Sequence, residues 1–487
     1  MNPTIEEMLI NETASIKDAI VVIDKNAQGI CFVVDTSGKL TGTLTDGDIR
    51  RAILNETPLS ASVDTIKYTN YTAFPVEVDQ KTIIAKLTPK VRHIPLIDKD
   101  GIPVDYVSAR RYRRIPIMEP LLAGNELAYV SECVKTNWIS SQGKFVRSFE
   151  EMLGKFHDMP YALAVSNGTV AIHLALVALG VGEGDEVIVP NYTFAASINA
   201  VLHANATPVI VDIEPNSWNI DPEAMEAAIT PKTKAIMPVH LYGYPAEMKK
   251  IMAIAERHNL IVVEDNAEAL GSQYYGQLTG TFGHAATYSF FGNKTVTTGE
   301  GGLILFREKE HYEKAVTLRD HGMSRTRKYW HELVGYNYRM TNLQAAIGVA
   351  QMERIEEILE MKTRMANVYN ENLKGIPGII LPPEHPDHYN THWLYTIEVD
   401  EKIVNLSRDQ IISKLLQNGI EARPTFFPLH EMPPYQAFGK GDYPNSVRVS
   451  RNGFSLPSFV HLKESTQLEI CSALKSIIKV DKLMGIN

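Results

Sequence analysis

The chain is predicted to be an α/β protein, and three observations predict it. Apolar, β-branched runs alternate with helix-patterned segments from about residue 160 to 305, as in "YALAVSNGTVAIHLALVALGVG" and "DEVIVPNYTFAASINAVLHANATPVIVDI". A shorter strand–turn–strand unit occurs twice within the first hundred residues. The 44% of hydrophobic residues against 22% charged leaves enough apolar surface to pack cores in all of it. At 487 residues the chain is too long for one core, and three units are expected: 1–114, 115–365 and 366–487.

The repeat sets "VVDTSGKLTGTLT" (33–45) against "LIDKDGIPVDYVS" (96–108), which superimposes Asp35 on Asp98 and Gly38 on Gly101, an offset of 63 residues (98 − 35). Each copy reads as a strand, an Asp/Gly turn and a second strand. A helical segment, "SIKDAIVVIDKN" (15–26), precedes the first. With "GTLTDGDIRR" (42–51), this part resembles a tandem CBS domain pair. That resemblance implies an adenosyl nucleotide as ligand, with Thr45 toward its phosphate and Asp48 toward its ribose hydroxyls. In the second copy Ser108 aligns with Thr45, but Arg111 stands where Asp48 would be. A purely structural pair is the alternative reading. The arginine-rich "SARRYRRIPIMEP" (108–120), closing on two prolines, marks a linker.

Further on, "TNLQAAIGVAQMERIEEILEMKTRMANVYNENL" (341–373) reads as one long helix. "HWLYTIEVD" and "RDQIISKLLQNGI" then indicate a smaller α+β unit.

Charge and composition narrow the function. A net charge of −9, from 57 acidic and 48 basic residues, gives no general attraction to nucleic acid or an anionic membrane. The N-terminus lacks a basic, apolar leader and no stretch approaches the ~18 apolar residues of a membrane span, so a cytoplasmic protein is expected. Cys31, Cys133 and Cys471 lie far apart and are expected to be packing residues. His385, His388 and His392 sit in a proline-rich loop with no helical face, and no metal is assigned to them.

Four segments carry chemistry. In "VSNGTVAIHLAL" (165–176) a strand passes through a turn into an amphipathic helix, so the amides near Gly168 and Thr169 would face an anion; a tight turn without a ligand is the alternative. "LIVVEDNAEALGS" (260–272) ends a strand in Glu264 and Asp265, at the edge where open α/β sheets bind ligands, or with Asp265 capping a following helix. In "SFFGNKTVTTGEGG" (289–302) Lys294 follows a strand, where desolvation would make its amine a nucleophile toward an aldehyde. No GxxxxGK[ST] pattern can be drawn there, which excludes a P-loop. "NYTFAAS" (191–197) offers Phe194 to stack on a flat ring or to pack in a core. Pyridoxal 5′-phosphate satisfies all four: an aldehyde for the lysine, a phosphate for the amides, a ring nitrogen for the carboxylate and a face for the aromatic.

With "YWHELVGYNYRMTN" and "ARPTFFPLHEMPPY", these motifs resemble the DegT/DnrJ/EryC1/StrS family of nucleotide-sugar aminotransferases. The resemblance implies a type I (aspartate-aminotransferase-like) large α/β domain with a small α+β C-terminal domain behind the CBS pair. It implies that Lys294 carries the cofactor, that Gly168, Thr169 and Ser289 bind its phosphate, and that Asn337 reaches the same phosphate from the partner of a homodimer. Asp265 would pair with the ring nitrogen and Phe194 cover the ring. Glu268 stands where most of the family has Gln or His, and must be protonated or bonded elsewhere beside an anionic phenolic oxygen. L-glutamate is the implied donor, and C4 of GDP-4-keto-6-deoxymannose, giving GDP-perosamine, the implied acceptor. A UDP-linked 4-keto sugar is the nearest alternative. A cofactor-dependent sugar dehydratase and a non-catalytic nucleotide sensor are further ones, opposed by Lys294 and Asp265. Ser141, Arg423 and His430 are the candidates for acceptor contacts.

Overall fold

A computed structural model describes residues 3–79, 82–83, 86–88, 91–108 and 115–484. Arg111 and the other arginines of the linker lie outside these residues. The chain divides into two compact units, Met1–Ile115 with Ser413–Glu421, and Pro116–Ile412 with Ala422–Asn487.

The first unit contains the repeat as two three-stranded sheets of one design. Leu9–Asn11 runs parallel to Ile30–Val34, which pairs antiparallel with Leu40–Thr45. Phe74–Pro75, His93–Ile97 and Pro103–Ser108 repeat that order and those directions. The register shifts at Val33/Val34 in one copy and at Leu96/Ile97 in the other, 63 residues on in each case (96 − 33). The turn glycines, Gly38 and Gly101, both take φ 84°, the left-handed region that glycine enters without a Cβ clash. Helix Ile16–Asn26 starts on a capping box between Ser15 and Asp18, a device that stabilises a helix by about 1 kcal/mol. The amide of Leu40 donates to the Gly101 carbonyl at 3.0 Å, so the two copies share a backbone bond.

The second unit is built on a seven-stranded sheet in the order Tyr161–Val165, Gly302–Phe306, Ala285–Ser289, Ile261–Asp265, Thr233–Ile236, Glu186–Pro190, Thr207–Val211. The sheet is not wholly parallel, as the alternation suggested. Gly302–Phe306 runs antiparallel to both its neighbours. Residues 290–301, between it and Ala285–Ser289, form turns and bends with no helix, so no helical crossover returns the chain and it doubles back. Leu163, Val187, Val189, Val263 and Ile304 are fully buried in its core; truncating Leu163 or Ile304 to alanine should cost about 2–5 kcal/mol.

Helix Gly168–Ala178 packs against this core. It is not amphipathic as read from the sequence, for seven of its eleven residues are buried. The single helix expected over 341–373 is two, Asn342–Met352 and Ile355–Leu373. The break divides a segment buried on nearly every side, packed on helices Glu126–Lys135 and Lys144–His157, from one with an exposed face that packs on Glu464–Met484. A second, four-stranded antiparallel sheet joins Ile379–Ile380, Tyr395–Val399, Gly453–Leu456 and Arg423–Pro424.

All three cysteines are buried and free. Among the described residues, no helix is long and apolar enough to cross a membrane, and no group of three or more His, Cys, Asp or Glu could hold a metal ion. The rings of His385 and His388 lie 4.4 Å apart, tilted by 31°.

Candidate active site

Strands of one direction end together, and the loops that follow them surround a cavity of about 920 Å³. Gly168, Thr169, Phe194, Asp265, Glu268, Ser289, Lys294 and Arg423 all line it. Residues from five segments spread over 255 positions (423 − 168) therefore meet at one place.

The anion end comes from strand Tyr161–Val165 and the helix after it. Asn167 caps that helix by accepting from the Val170 amide at 3.0 Å. Gly168 and Thr169 are its first residues, and their amides have no carbonyl one turn earlier to bond. A Cβ on Gly168 would lie 2.8 Å from Cβ of Ser289, so only glycine lets the helix start come this close to the end of the neighbouring strand. The result is two backbone donors beside one hydroxyl, at a helix N-terminus.

At the other end lies Asp265, 4% exposed. The Ser197 hydroxyl donates to Oδ2 at 2.8 Å and the Ala267 amide to Oδ1 at 3.1 Å. No helix follows Asp265, so helix capping, the alternative role, does not arise. Burial raises its pKa, against the pull of Ser197 and Lys294. Its neighbour Glu264 points to the opposite side of the strand. There its carboxylate accepts from the amides of Gly280, Phe282 and Gly283 at 2.7, 2.8 and 2.7 Å, and from His240 Nε2 at 3.0 Å. Since His240 Nδ1 accepts from the Ala246 amide, the Nε2–H tautomer is the one that fits. Glu264 is thus structural, and Asp265 alone serves the cavity.

Lys294 projects from the loop that joins the two antiparallel strands. Its Nζ lies 3.9 Å from Oε1 of Glu268 and 3.7 Å from the ring centre of Trp393. Burial lowers its pKa, opposed by Glu268 and Asp265. Glu268 accepts from the Tyr242 amide at 2.8 Å, and burial raises its pKa to about 7. A glutamate here is thus bonded to the Tyr242 amide, one of the two alternatives set for it, and its carboxyl is held above the usual carboxylate range.

Phe194 is 59% exposed and rests at 5.8 Å on Phe426, leaving a face for a ring ligand. Other predicted residues fall outside the lining. Asn337 pairs across a bridge with Asp320 and accepts from Arg339. His430 is committed to Asn191, and its ring lies 4.7 Å from that of Tyr443, tilted by 39°. Ser141 lies in the turn before helix Lys144–His157. In the first unit Thr45 and Asp48 form a capping box on helix Asp46–Leu54, and Arg51 pairs with Asp48.

Sequence reasoning missed Ser197, Trp393, Tyr242 and His173. Ser197 was within reach, as the hydroxyl three residues beyond Phe194. His173 lies one turn beyond Thr169 on the same helix, lines the cavity and bonds the Tyr338 hydroxyl at 3.1 Å; burial lowers its pKa to about 4. Trp393 and Tyr242 gave no local signal, because their partners are distant in sequence.

An anion cradle that only glycine permits, a buried carboxylate and a depressed lysine amine together fit a phosphorylated aldehyde with a basic ring nitrogen. The family model for DegT/DnrJ/EryC1/StrS aminotransferases matches residues 120–475. This chain belongs to that family. Among the family's members, GDP-perosamine synthase of Caulobacter vibrioides (strain ATCC 19089 / CIP 103742 / CB 15) is 45% identical over 367 residues, covering 75% of this chain and 98% of the relative. GDP-perosamine synthase of Escherichia coli O157:H7 is 42% identical over 74% of this chain and 97% of its own. The crystal structure of S. venezuelae DesV in complex with a ketimine intermediate superposes with a TM-score of 0.69 at 33% identity, covering 73% of this chain and 94% of that one. Separately, a CBS domain model matches residues 3–55.

Proposed function

We propose that this aminotransferase uses pyridoxal 5′-phosphate to place an amino group on C4 of a GDP-linked 4-keto-6-deoxy sugar, GDP-4-keto-6-deoxymannose, with L-glutamate as donor. The observation that carries this reading is Lys294 Nζ between Glu268 and Trp393, in one cavity with Asp265 and the Gly168–Ser289 cradle. The choice of acceptor is supported by the extent of likeness to two GDP-perosamine synthases.

When bound, the cofactor supplies an aldehyde that takes up amines and a cationic ring that accepts electrons. The chain's residues do the rest. The amides of Gly168 and Thr169 and the Ser289 hydroxyl bind the phosphate, and Asn337 of the partner subunit completes that site in a homodimer. Phe194 covers the ring. Asp265, fixed by Ser197 and Ala267, holds a proton on the ring nitrogen by placing its negative charge there. Lys294 would hold the cofactor through Nζ and, as a free amine, would take the proton from the donor's α-carbon as base and, as the resulting ammonium, give that same proton back as acid. Burial holds its pKa below that of a free lysine, which favours the unprotonated amine that a base requires. Of the acceptor candidates, Arg423 lines the cavity and is assigned to the acceptor's anionic part. The reaction is assigned to the cytoplasm.

In the first unit we assign an adenosyl nucleotide to the segment of Thr45 and Asp48, a reading supported by the CBS match over 3–55. Calorimetry of the full chain with ATP and AMP tests it, and an absence of heat with both would remove it.

The main test is an assay of the full-length protein with L-glutamate and either GDP- or UDP-linked 4-keto-6-deoxy sugar, read by mass spectrometry. Amination of the GDP sugar is expected. Amination of the UDP sugar alone would overturn the acceptor. Lys294→Ala should abolish turnover, and parental turnover in that variant would end the assignment of the centre.

A further inference from the structure

Lys294 leaves the sheet on a loop, not on a helix or strand, and its long side chain has many rotamers to lose. Something must hold the amine in one place. Two carboxylates act on it, Glu268 and Asp265, and one aromatic ring. The carboxylates gain and lose protons; the ring does not.

Trp393 is 5% exposed and meets Lys294 in two ways. Its ring centre lies 3.7 Å from Nζ, the geometry in which an aromatic face attracts a cation, and burial makes that attraction stronger than at a surface. Its Nε1–H donates at 2.7 Å to the carbonyl of Asn293, the residue before Lys294. The ring in turn has fixed support. Tyr242 stacks on it at 6.1 Å and 10°, and Nζ of the fully buried Lys362 donates to the Trp393 carbonyl at 3.0 Å and to that of Ser458 at 2.6 Å. Tyr242 also gives its amide to Glu268, so the ring and the carboxylate that flank Lys294 are anchored through one residue.

We propose that Trp393 is a positioning residue for Lys294: its indole face holds the ε-amino group, and its Nε1–H ties down the loop from which Lys294 projects. The inference rests on Lys294 as the reactive amine and deepens that reading.

The test uses the full-length chain freed of cofactor, so that the amine itself is observed. The pH dependence of Lys294 acylation is followed by peptide mass spectrometry. Removing the ring in Trp393→Leu removes a stabiliser of the ammonium form, so the midpoint should fall by about one pH unit, a tenfold change in the protonation equilibrium. Trp393→Phe keeps a ring face but no N–H. It should hold its midpoint closer to the parent, while amide hydrogen exchange in 291–299 quickens about fivefold, as expected for one lost hydrogen bond. A residue that merely fills space would lower the melting temperature and move neither quantity. An unchanged midpoint in a folded Trp393→Leu chain overturns the proposal; should that variant not fold, unchanged exchange in Trp393→Phe does so. Neither result depends on turnover, so a failure here is distinct from a failure of the Lys294→Ala test.

Discussion

Ser197 donates its hydroxyl to Asp265 at 2.8 Å, and both side chains are almost wholly buried. The bond fixes the carboxylate that we assign to the ring nitrogen and favours its charged form. Ser197→Ala should therefore weaken catalysis by about 2 kcal/mol, the scale of a hydrogen bond to a charged group, or roughly thirtyfold in kcat. Asp265→Asn, which cannot hold a negative charge, should cost more. Steady-state rates of the two variants check the order, and equal losses would refute it.

Glu268 should give a pH signature. Burial raises its pKa from 4.5 to about 7, so the folded chain holds a proton that the unfolded chain releases. The stability this proton contributes is present below about pH 4.5 and is lost as pH rises to about 7. In Glu268→Gln that part of the decline should vanish. Urea unfolding of the cofactor-free parent and variant between those limits measures the difference.

Lys362 should act with the opposite sign. Burial lowers its pKa from 10.5 to about 7, so the unfolded chain binds the extra proton. The cost of burying it is full below about pH 7 and disappears as pH rises toward 10.5. Lys362→Met should flatten a rise in stability of a few kcal/mol across that window. The slope of unfolding free energy against pH is the readout, whatever constant offset the lost bonds to Trp393 and Ser458 add.

Gly168→Ala tests the cradle. The new Cβ would come within 2.8 Å of Cβ of Ser289, so the helix start must retreat from the strand end. Overpacking of this kind typically costs 1–3 kcal/mol, and cofactor affinity should fall about tenfold. Titration with pyridoxal 5′-phosphate, followed by visible absorbance, shows the change.

Local chemistry was legible in the sequence wherever one segment carried it. The Asn-Gly-Thr turn, the carboxylate closing an apolar run and the lysine after a strand all lie in this cavity. The repeat was legible too, for its turns need glycine at equivalent places, and the register shift recurs 63 residues on (97 − 34). What escaped depended on the third dimension. The antiparallel strand Gly302–Phe306 has the same apolar pattern as its parallel neighbours, and only the helix-free loop before it distinguishes it. The break near Arg354 follows from a change in packing partners, not from a Pro or Gly. Trp393 meets a lysine 99 positions away (393 − 294), and a lone tryptophan ahead of a strand announces nothing of that kind.

Glu264 and Asp265 are adjacent yet meet opposite surroundings, one saturated by three amides and a histidine, the other open to the cavity. Neighbouring side chains on a strand alternate sides, so which carboxylate faces the cavity is a matter of phase. Deleting a single residue between Ile261 and Val263 would exchange their places, seating the amide-binding glutamate in the catalytic hollow and stranding the aspartate against a turn it is too short to reach. Chemistry here is written in parity as much as in composition.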